Sequence, residues 1–183
     1  MTPLTASQAA EALADIDRTE ARSREAWRYA QASPHLLLWG LVWVAGYGLS
    51  AAALPPPLPV LVWPLGILIG ALGSALLGRR TEQPRSTWRG LALGLVLFAF
   101  FAATYTVLPP RSVNQMAAFP ALLVALGYCG LGLFGAPRLL ALGLLVGAVT
   151  MLGYLALPAL FLPWMALCGG GTLLLGGALL RRL

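Results

Sequence analysis

The chain has 183 residues, 59% of them hydrophobic and 10% charged, and this composition lies outside the range of soluble globular domains. All twelve basic residues are Arg, the net charge is +6, and Ala, Leu, Gly and Pro are abundant, which is typical of a GC-rich bacterial genome. Because the charges are segregated from long uncharged stretches, the basic balance does not predict nucleic-acid binding.

Residues 1–34 precede the first uncharged stretch, and we expect them to form a cytoplasmic amphipathic helical arm. A narrow apolar stripe recurs along the arm at spacings of three, four or seven: Leu13, Ile16, Ser23, Trp27 and Ala30. The membrane-proximal half is basic, and each Arg there can gain about 1 kcal/mol from anionic headgroups. The candidate surface for a protein partner or for lipid headgroups comprises Arg18, Arg22, Arg24, Trp27 and Arg28. The dipeptide Ser33-Pro34 predicts the end of the arm helix, since Pro suits the first turn of a helix and not its interior.

A seven-residue pattern occurs three times after the arm. The copies begin at His35, Arg89 and Arg138 and read H-L-L-L-W-G-L, R-G-L-A-L-G-L and R-L-L-A-L-G-L. In each copy a Leu-Pro follows, with the Leu 19 residues after the first position. Nineteen apolar residues at a rise of about 1.5 Å cover the ~30 Å hydrocarbon core of a bilayer. The pattern therefore predicts a membrane-crossing helix that is repeated three times.

The uncharged stretches, divided at their Pro and Gly clusters, predict six spans. These spans are residues 35–54, 59–78, 88–108, 115–134, 138–157 and 161–180. The predicted fold class is all-α: an integral membrane bundle of six transmembrane helices, residues 35–183, in three hairpin repeats at about 35–80, 88–135 and 138–182, preceded by the cytoplasmic amphipathic helix. Eleven of the twelve Arg lie on one predicted side, and Arg111 alone lies on the other. The positive-inside rule then predicts a multi-pass protein of the bacterial cytoplasmic (inner) membrane with both termini in the cytoplasm.

Two groups of residues within the spans form a candidate ligand or packing site. The aromatic residues Trp39, Trp43 and Tyr47 follow one another at i, i+4 and i+8, so they could stack a flat apolar ligand or pack within the bundle. The triplet Gly169, Gly170 and Gly171 lies in the middle of the sixth span. It favours either a partly unwound segment whose carbonyls bind a solute or a tight helix–helix contact.

The remaining polar residues give weaker indications. His35 occupies the position that Arg89 and Arg138 hold in the other copies, which predicts an interface anchor, with pH sensing as the alternative. A cluster of uncharged polar residues could line a polar vestibule at the outer surface or simply face water: Thr104, Thr106, Asn114 and Gln115. Small residues, including the equivalent Gly40, Gly94 and Gly143, predict close helix packing within the monomer or in a homo-oligomer.

Residues 36–78, 90–110, 112–137 and 139–180 contain no Asp, Glu, Lys or Arg, which argues against an enzyme, because acid–base chemistry needs positioned ionisable groups. We therefore expect a non-enzymatic membrane protein, without cofactor or metal, that recruits, regulates or assembles a cytoplasmic partner through residues 5–32. The first alternative is a transporter subunit or pore for a neutral or apolar small molecule. The second is an enzyme acting on a lipid or isoprenoid through His35 or Glu82. The partners expected are membrane lipids, a cytoplasmic protein and a second copy of the chain, and no nucleic acid.

Overall fold

The computed structural model describes residues 6–52, 54–79 and 87–181, and every regular element in these ranges is helical. The helices are α1 (Ala6–Ala51), α2 (Leu58–Arg79), α3 (Thr87–Val107), α4 (Val113–Leu133), α5 (Pro137–Ala156), α6 (Phe161–Trp164) and α7 (Gly170–Leu180). A 3₁₀ turn (Pro158–Leu160) precedes α6, and a π-helical turn (Met165–Gly169) joins α6 to α7.

Among the described residues, four segments are long and apolar enough to cross a membrane, and the chain is thus a multi-pass membrane protein. These segments are Leu58–Gly78, Val113–Leu133, Pro137–Ala156 and Pro158–Leu180, and Gly94–Val107 is a shorter apolar stretch within α3. Large hydrophobic side chains on their outer faces are exposed, as expected where lipid is the solvent.

The core is formed by α1, α4, α5 and the α6–α7 segment, with the most extensive contacts between α4 and α5 and between α1 and α7. Helix α2 packs on α1, where the side chain of Trp39 fills the space beside Gly70. Helix α3 is the least packed: its side chains from Leu95 to Phe100 are exposed, and ring contacts to α4 occur near its C-terminal end.

The three glycines that are equivalent in the repeated pattern have different surroundings. A Cβ atom at Gly40 would lie 2.8 Å from the side chain of Leu174, and one at Gly143 would lie 2.7 Å from the backbone of Ala125 and Cys129. A Cβ at Gly94 would meet nothing within 4 Å. Two of these positions therefore allow a close helix contact inside the monomer, while the third, on α3, faces open space.

The predicted end of the arm helix at Ser33-Pro34 is wrong, because α1 continues through Pro34 as one helix of 46 residues. Proline has no N–H to donate to the carbonyl of Ala30, so local sequence disfavours this continuation. Packing of α1 against α7 offsets the loss of this hydrogen bond. The side chains of Ser33 and Leu36 are buried, and the Ser33 hydroxyl donates a hydrogen bond of 2.8 Å to the carbonyl of Gly177.

The sixth predicted span is a helix with an irregular first half. Its π-helical turn ends at Gly169, and the Thr172 hydroxyl donates a hydrogen bond to the carbonyl of Cys168 within that turn. In such a turn each backbone hydrogen bond spans one residue more than in an α-helix, which shifts the following residues around the helix axis. In the regular helix that follows, Gly170 lies against the backbone of α1.

Replacing Gly170 with Ala should destabilise the bundle, because the new Cβ would lie 2.6 Å from Val44 Cγ2 and 2.9 Å from the Val44 backbone nitrogen. Overpacking of this kind costs about 1–3 kcal/mol of the free energy of unfolding. The matched control is Gly171→Ala, whose Cβ would meet nothing within 4 Å and should leave stability unchanged or raise it by up to about 1 kcal/mol. Unfolding in detergent micelles measures both, and equal effects of the two variants would contradict the close approach.

Candidate functional site

The membrane-proximal part of the arm is attached to the turn between α4 and α5. The Arg28 guanidinium donates hydrogen bonds to the carbonyls of Phe134, at 3.3 Å, and Gly135, at 2.9 Å. These carbonyls follow the end of α4, where backbone acceptors lack partners within the helix and a cation is favoured. Gly135 has a φ of 102°, a conformation that favours glycine, and it reverses the chain between α4 and α5.

Tyr29 forms the second part of this attachment and is 1% exposed. Its hydroxyl donates a hydrogen bond of 2.8 Å to the Glu25 carboxylate and accepts one of 3.3 Å from the backbone N–H of Arg138. The Arg138 guanidinium lies 5.1 Å from the centre of the Tyr29 ring, within the range of a cation–π interaction. Burial, and then the hydrogen bond to Glu25, raise the pKa of the Tyr29 hydroxyl.

We call Arg28, Tyr29 and Ser33, with their acceptors and donors on the α4–α5 turn and α7, the arm–bundle contact. It fixes the last turns of the arm on the membrane domain. Residues 6–24 extend beyond it, and we call them the arm tip. All side chains from residue 11 to residue 20 are exposed.

The arm tip presents two different faces to solvent. Leu13 is 63% exposed and Ile16 is 54% exposed, and at helical spacing they lie on the same face as the half-exposed Trp27. A second face is charged, where Asp15 and Arg18 form an ion pair of 3.3 Å. An exposed apolar stripe beside charged residues is typical of a helix that binds in a partner's groove.

The residues of the predicted partner surface on the arm have different surroundings in the structure. Arg18 is exposed and paired with Asp15, Trp27 is half-exposed, and Arg28 is engaged with the α4–α5 turn. Arg22 and Arg24 lie on α1, but their side chains are outside the described part of the chain. Of the three described side chains, those of Arg18 and Trp27 are exposed to solvent, while that of Arg28 also contacts the bundle.

The aromatic residues Trp39, Trp43 and Tyr47 pack against other helices, and Trp39 is half-buried. The Trp39 indole N–H donates a hydrogen bond of 3.1 Å to the Ser74 hydroxyl on α2. The Tyr47 ring packs edge-on against Trp43 and Trp63, with ring centres 5.6 and 4.8 Å apart. Since Trp43 is 5% exposed and Tyr47 is 1% exposed, these rings fill the core instead of lining an open groove.

The glycine triplet also lies mainly in a packed region. A Cβ at Gly169 would lie 3.0 Å from Met165 Cε and 3.5 Å from the ring of Trp43, and one at Gly170 would lie 3.1 Å from the carbonyl oxygen of Gly40. Gly171 faces open space. The structure thus brings the triplet and the aromatic residues of α1 together, with Trp43 as the contact between them.

The other candidate residues are dispersed. His35 is half-buried at the start of the apolar part of α1, Cys129 and Cys168 are half-buried and unpaired with each other, and Glu82 lies outside the described residues. In residues 6–52, 54–79 and 87–181, no group of three His, Cys, Asp or Glu side chains could hold a metal ion.

Sequence reasoning missed Tyr29 and the role of Ser33. Their partners, Arg138 and Gly177, are 109 and 144 residues away along the chain, so no local pattern predicts the contacts. One signal was available: a proline inside an apolar helical pattern indicates that tertiary contacts hold the helix together there.

Comparison of the chain with protein-family models, with curated proteins and with solved structures finds no match.

Replacing Arg28 with Gln should loosen the arm–bundle contact, because two hydrogen bonds to the α4–α5 turn are lost. For partly exposed bonds we expect a loss of about 1 kcal/mol, so backbone amides of residues 25–33 should exchange with solvent about fivefold faster. Hydrogen exchange followed by mass spectrometry measures this rate. Arg18→Gln is the control, since Arg18 pairs only within the arm; equal acceleration in both variants would show that Arg28 does not hold the arm.

The arm–bundle contact should weaken in alkaline solution. Because the folded state favours the neutral phenol of Tyr29, its stabilising contribution is complete below pH 10, the ordinary tyrosine pKa, and is lost as the pH rises through the raised pKa. A spin label at Ser23→Cys, in a chain without the two native cysteines, should become more mobile above pH 10. Tyr29→Phe carries no titrating group, so the same pH-dependent increase in that variant would contradict the assignment.

Proposed function

We propose that the protein is a non-enzymatic component of the bacterial cytoplasmic membrane that recruits or regulates a cytoplasmic protein through its arm. In this proposal the apolar part of α1, helices α2 to α5 and the α6–α7 segment are six spans in three hairpins, with both termini in the cytoplasm. The charge-free second half of α1 and the placement of eleven Arg on one side support this topology.

The observation that carries the proposal is the continuity of α1 from the bundle into the arm. A helix that lies on a membrane surface must turn where it enters the bilayer, whereas α1 continues through Pro34 as a single helical element. The arm–bundle contact holds the helix just before it leaves the bundle. At about 1.5 Å per residue, the 19 residues of the arm tip extend about 28 Å from this contact.

The arm tip has the features of a helix that binds in a groove. Leu13 and Ile16 provide an apolar stripe, and Glu11, Asp15 and Asp17 make residues 1–17 acidic. Because apolar anchors give affinity and surrounding charges give orientation, a suitable partner has an apolar groove with a basic rim. The basic residues nearer the bundle favour anionic membrane lipids as a second contact of the arm.

The packing gives less support to the two alternative functions, a transporter subunit or pore and an enzyme acting on a lipid or isoprenoid. A transporter of neutral solutes through an unwound glycine triplet requires space around those residues, but Gly170 contacts the backbone of α1. The enzyme alternative rests on His35, which is half-buried on α1, and on Glu82, which lies outside the described residues, so the packing adds no support to it. A homo-oligomer is supported by Gly94, because its face of α3 is open.

The proposal predicts that polar substitutions on the apolar stripe abolish partner binding and leave the bundle intact. Leu13→Gln combined with Ile16→Gln removes two exposed apolar anchors, each worth about 1.5–3 kcal/mol when buried in a partner. We expect a loss of more than a hundredfold in affinity, measured by co-purification from crosslinked bacterial membranes with quantitative mass spectrometry.

The matched control is Ala14→Gln, which places the same side chain on the opposite, exposed face of the arm and removes no charge. This control should co-purify the same proteins as the unmodified chain. Both variants should unfold at the same temperature as the unmodified protein, because these side chains are exposed on the arm tip. An unchanged set of partners for the Leu13 and Ile16 variant would refute recruitment through the arm.

A further inference from the structure

A cavity of about 590 Å³ lies at the end of the bundle opposite the arm, where α3, α4 and α5 diverge. Its rim is polar, with Arg111, Gln115 and Tyr154, and its wall is apolar, with Phe119, Leu122 and Met151. The predicted vestibule residues Thr104 and Gln115 line it as well. Asn114 does not contribute, because its amide donates a hydrogen bond of 2.7 Å to the carbonyl of Pro158.

A proline in α4 fixes the wall of this cavity. Pro120 lacks an N–H, so the carbonyl of Met116 loses its usual partner within the helix. The Tyr105 hydroxyl of α3 donates a hydrogen bond to this carbonyl instead. The ring of Tyr105 also packs against Phe101, with ring centres 4.2 Å apart, and against Phe119 at 5.7 Å. This end of α3 is therefore attached to α4, although most of α3 is exposed.

Two side chains at the rim of the cavity have hydrogen-bond donors available, those of Gln115 and Arg111. The side-chain oxygen of Gln115 already accepts a hydrogen bond of 2.6 Å from the backbone N–H of Arg111, which leaves the Gln115 amide N–H groups. The Thr104 hydroxyl donates to the carbonyl of Phe100 and is thus engaged as a donor. The Arg111 guanidinium makes no hydrogen bond or ion pair with the part of the chain that the structure describes.

Among the described residues, no acidic side chain lies at this end of the bundle. No Asp or Glu occurs in residues 83–183, and the described acids all lie on the arm at the opposite end. A cation beside an apolar cavity at a membrane surface favours an anionic partner, and the described residues at this end supply none. Arg is well suited to bind phosphate, because its planar guanidinium can donate two parallel hydrogen bonds.

We propose that this cavity binds an anionic phospholipid, with the phosphate at Arg111 and Gln115 and an acyl chain along Phe119, Leu122 and Met151. The apolar wall favours a lipid over a soluble phosphate, since a soluble anion gains nothing from these side chains. The inference does not depend on the arm or on its partner, so failure of either proposal leaves the other standing.

The test compares purified protein in nanodiscs of phosphatidylcholine with and without phosphatidylglycerol. We expect the full chain to retain phosphatidylglycerol in native mass spectrometry and to unfold at a higher temperature when this lipid is present. Arg111→Gln should weaken retention about tenfold or more, and Arg111→Glu should abolish it. Arg111 is exposed and makes no side-chain contact that folding requires, so both variants should fold.

The control is Arg181→Gln, which removes an exposed arginine at the other end of the bundle and should retain phosphatidylglycerol as the unmodified chain does. Equal retention by Arg111→Gln and the unmodified chain would overturn the proposal. So would equal losses in the Arg111 and Arg181 variants, which would indicate a nonspecific effect of net charge. Arg111-dependent stabilisation by inorganic phosphate in phosphatidylcholine alone would also overturn it, because the ligand would then be a soluble anion.

Discussion

Where α1 crosses α7, the two backbones come so close that a single added carbon atom at Gly170 would meet the nitrogen of Val44 and the carbonyl of Gly40. Toward the arm, the Ser33 hydroxyl reaches the carbonyl of Gly177 along the same pair of helices. Because lipid supplies no hydrophobic driving force between helices, such backbone proximity is what holds a membrane bundle together. The course of α1, and with it the arm, depends on this contact.

The contact between α1 and α7 also determines where the arm meets the rest of the bundle. With α1 fixed on α7, the next turns of the helix place Arg28 and Tyr29 beside the turn between α4 and α5. Arg28, Tyr29 and Ser33 of α1 are thus attached to elements that lie more than a hundred residues away in sequence. An arm attached in this manner keeps its direction relative to the membrane domain, which a helix joined by a short linker would not.

Local sequence predicts the ends of the helices well where they do not depend on contacts with other parts of the chain. Helices α2, α4 and α5 begin and end within two residues of the predicted spans, since Pro and Gly clusters and uncharged stretches mark their ends. The prediction failed at Pro34, and it missed the irregular start of the sixth span, because tertiary contacts decide both regions. The arm–bundle contact and the attachment of α3 to α4 beside the cavity were out of reach for the same reason: their residues meet only after folding, and Tyr29, Arg138, Tyr105 and Met116 follow no periodic pattern. The polar cluster was visible in the sequence, and two of its members, Thr104 and Gln115, line the cavity.

Near Pro120, hydroxyls from two other helices approach the backbone of α4. Pro120 leaves the carbonyl of Met116 without a helical partner, and the hydroxyl of Tyr105 takes that place. One residue further along, the Tyr47 hydroxyl of α1 donates to the carbonyl of Ala117 at 2.9 Å. An unsatisfied carbonyl in a bilayer costs several kcal/mol, so each such bond restricts how the helices can be arranged around it. The first turns of α4 therefore connect α1 and α3 through side-chain hydroxyls. This explains why α3, which is otherwise exposed, has a defined position at the end of the bundle that contains Arg111.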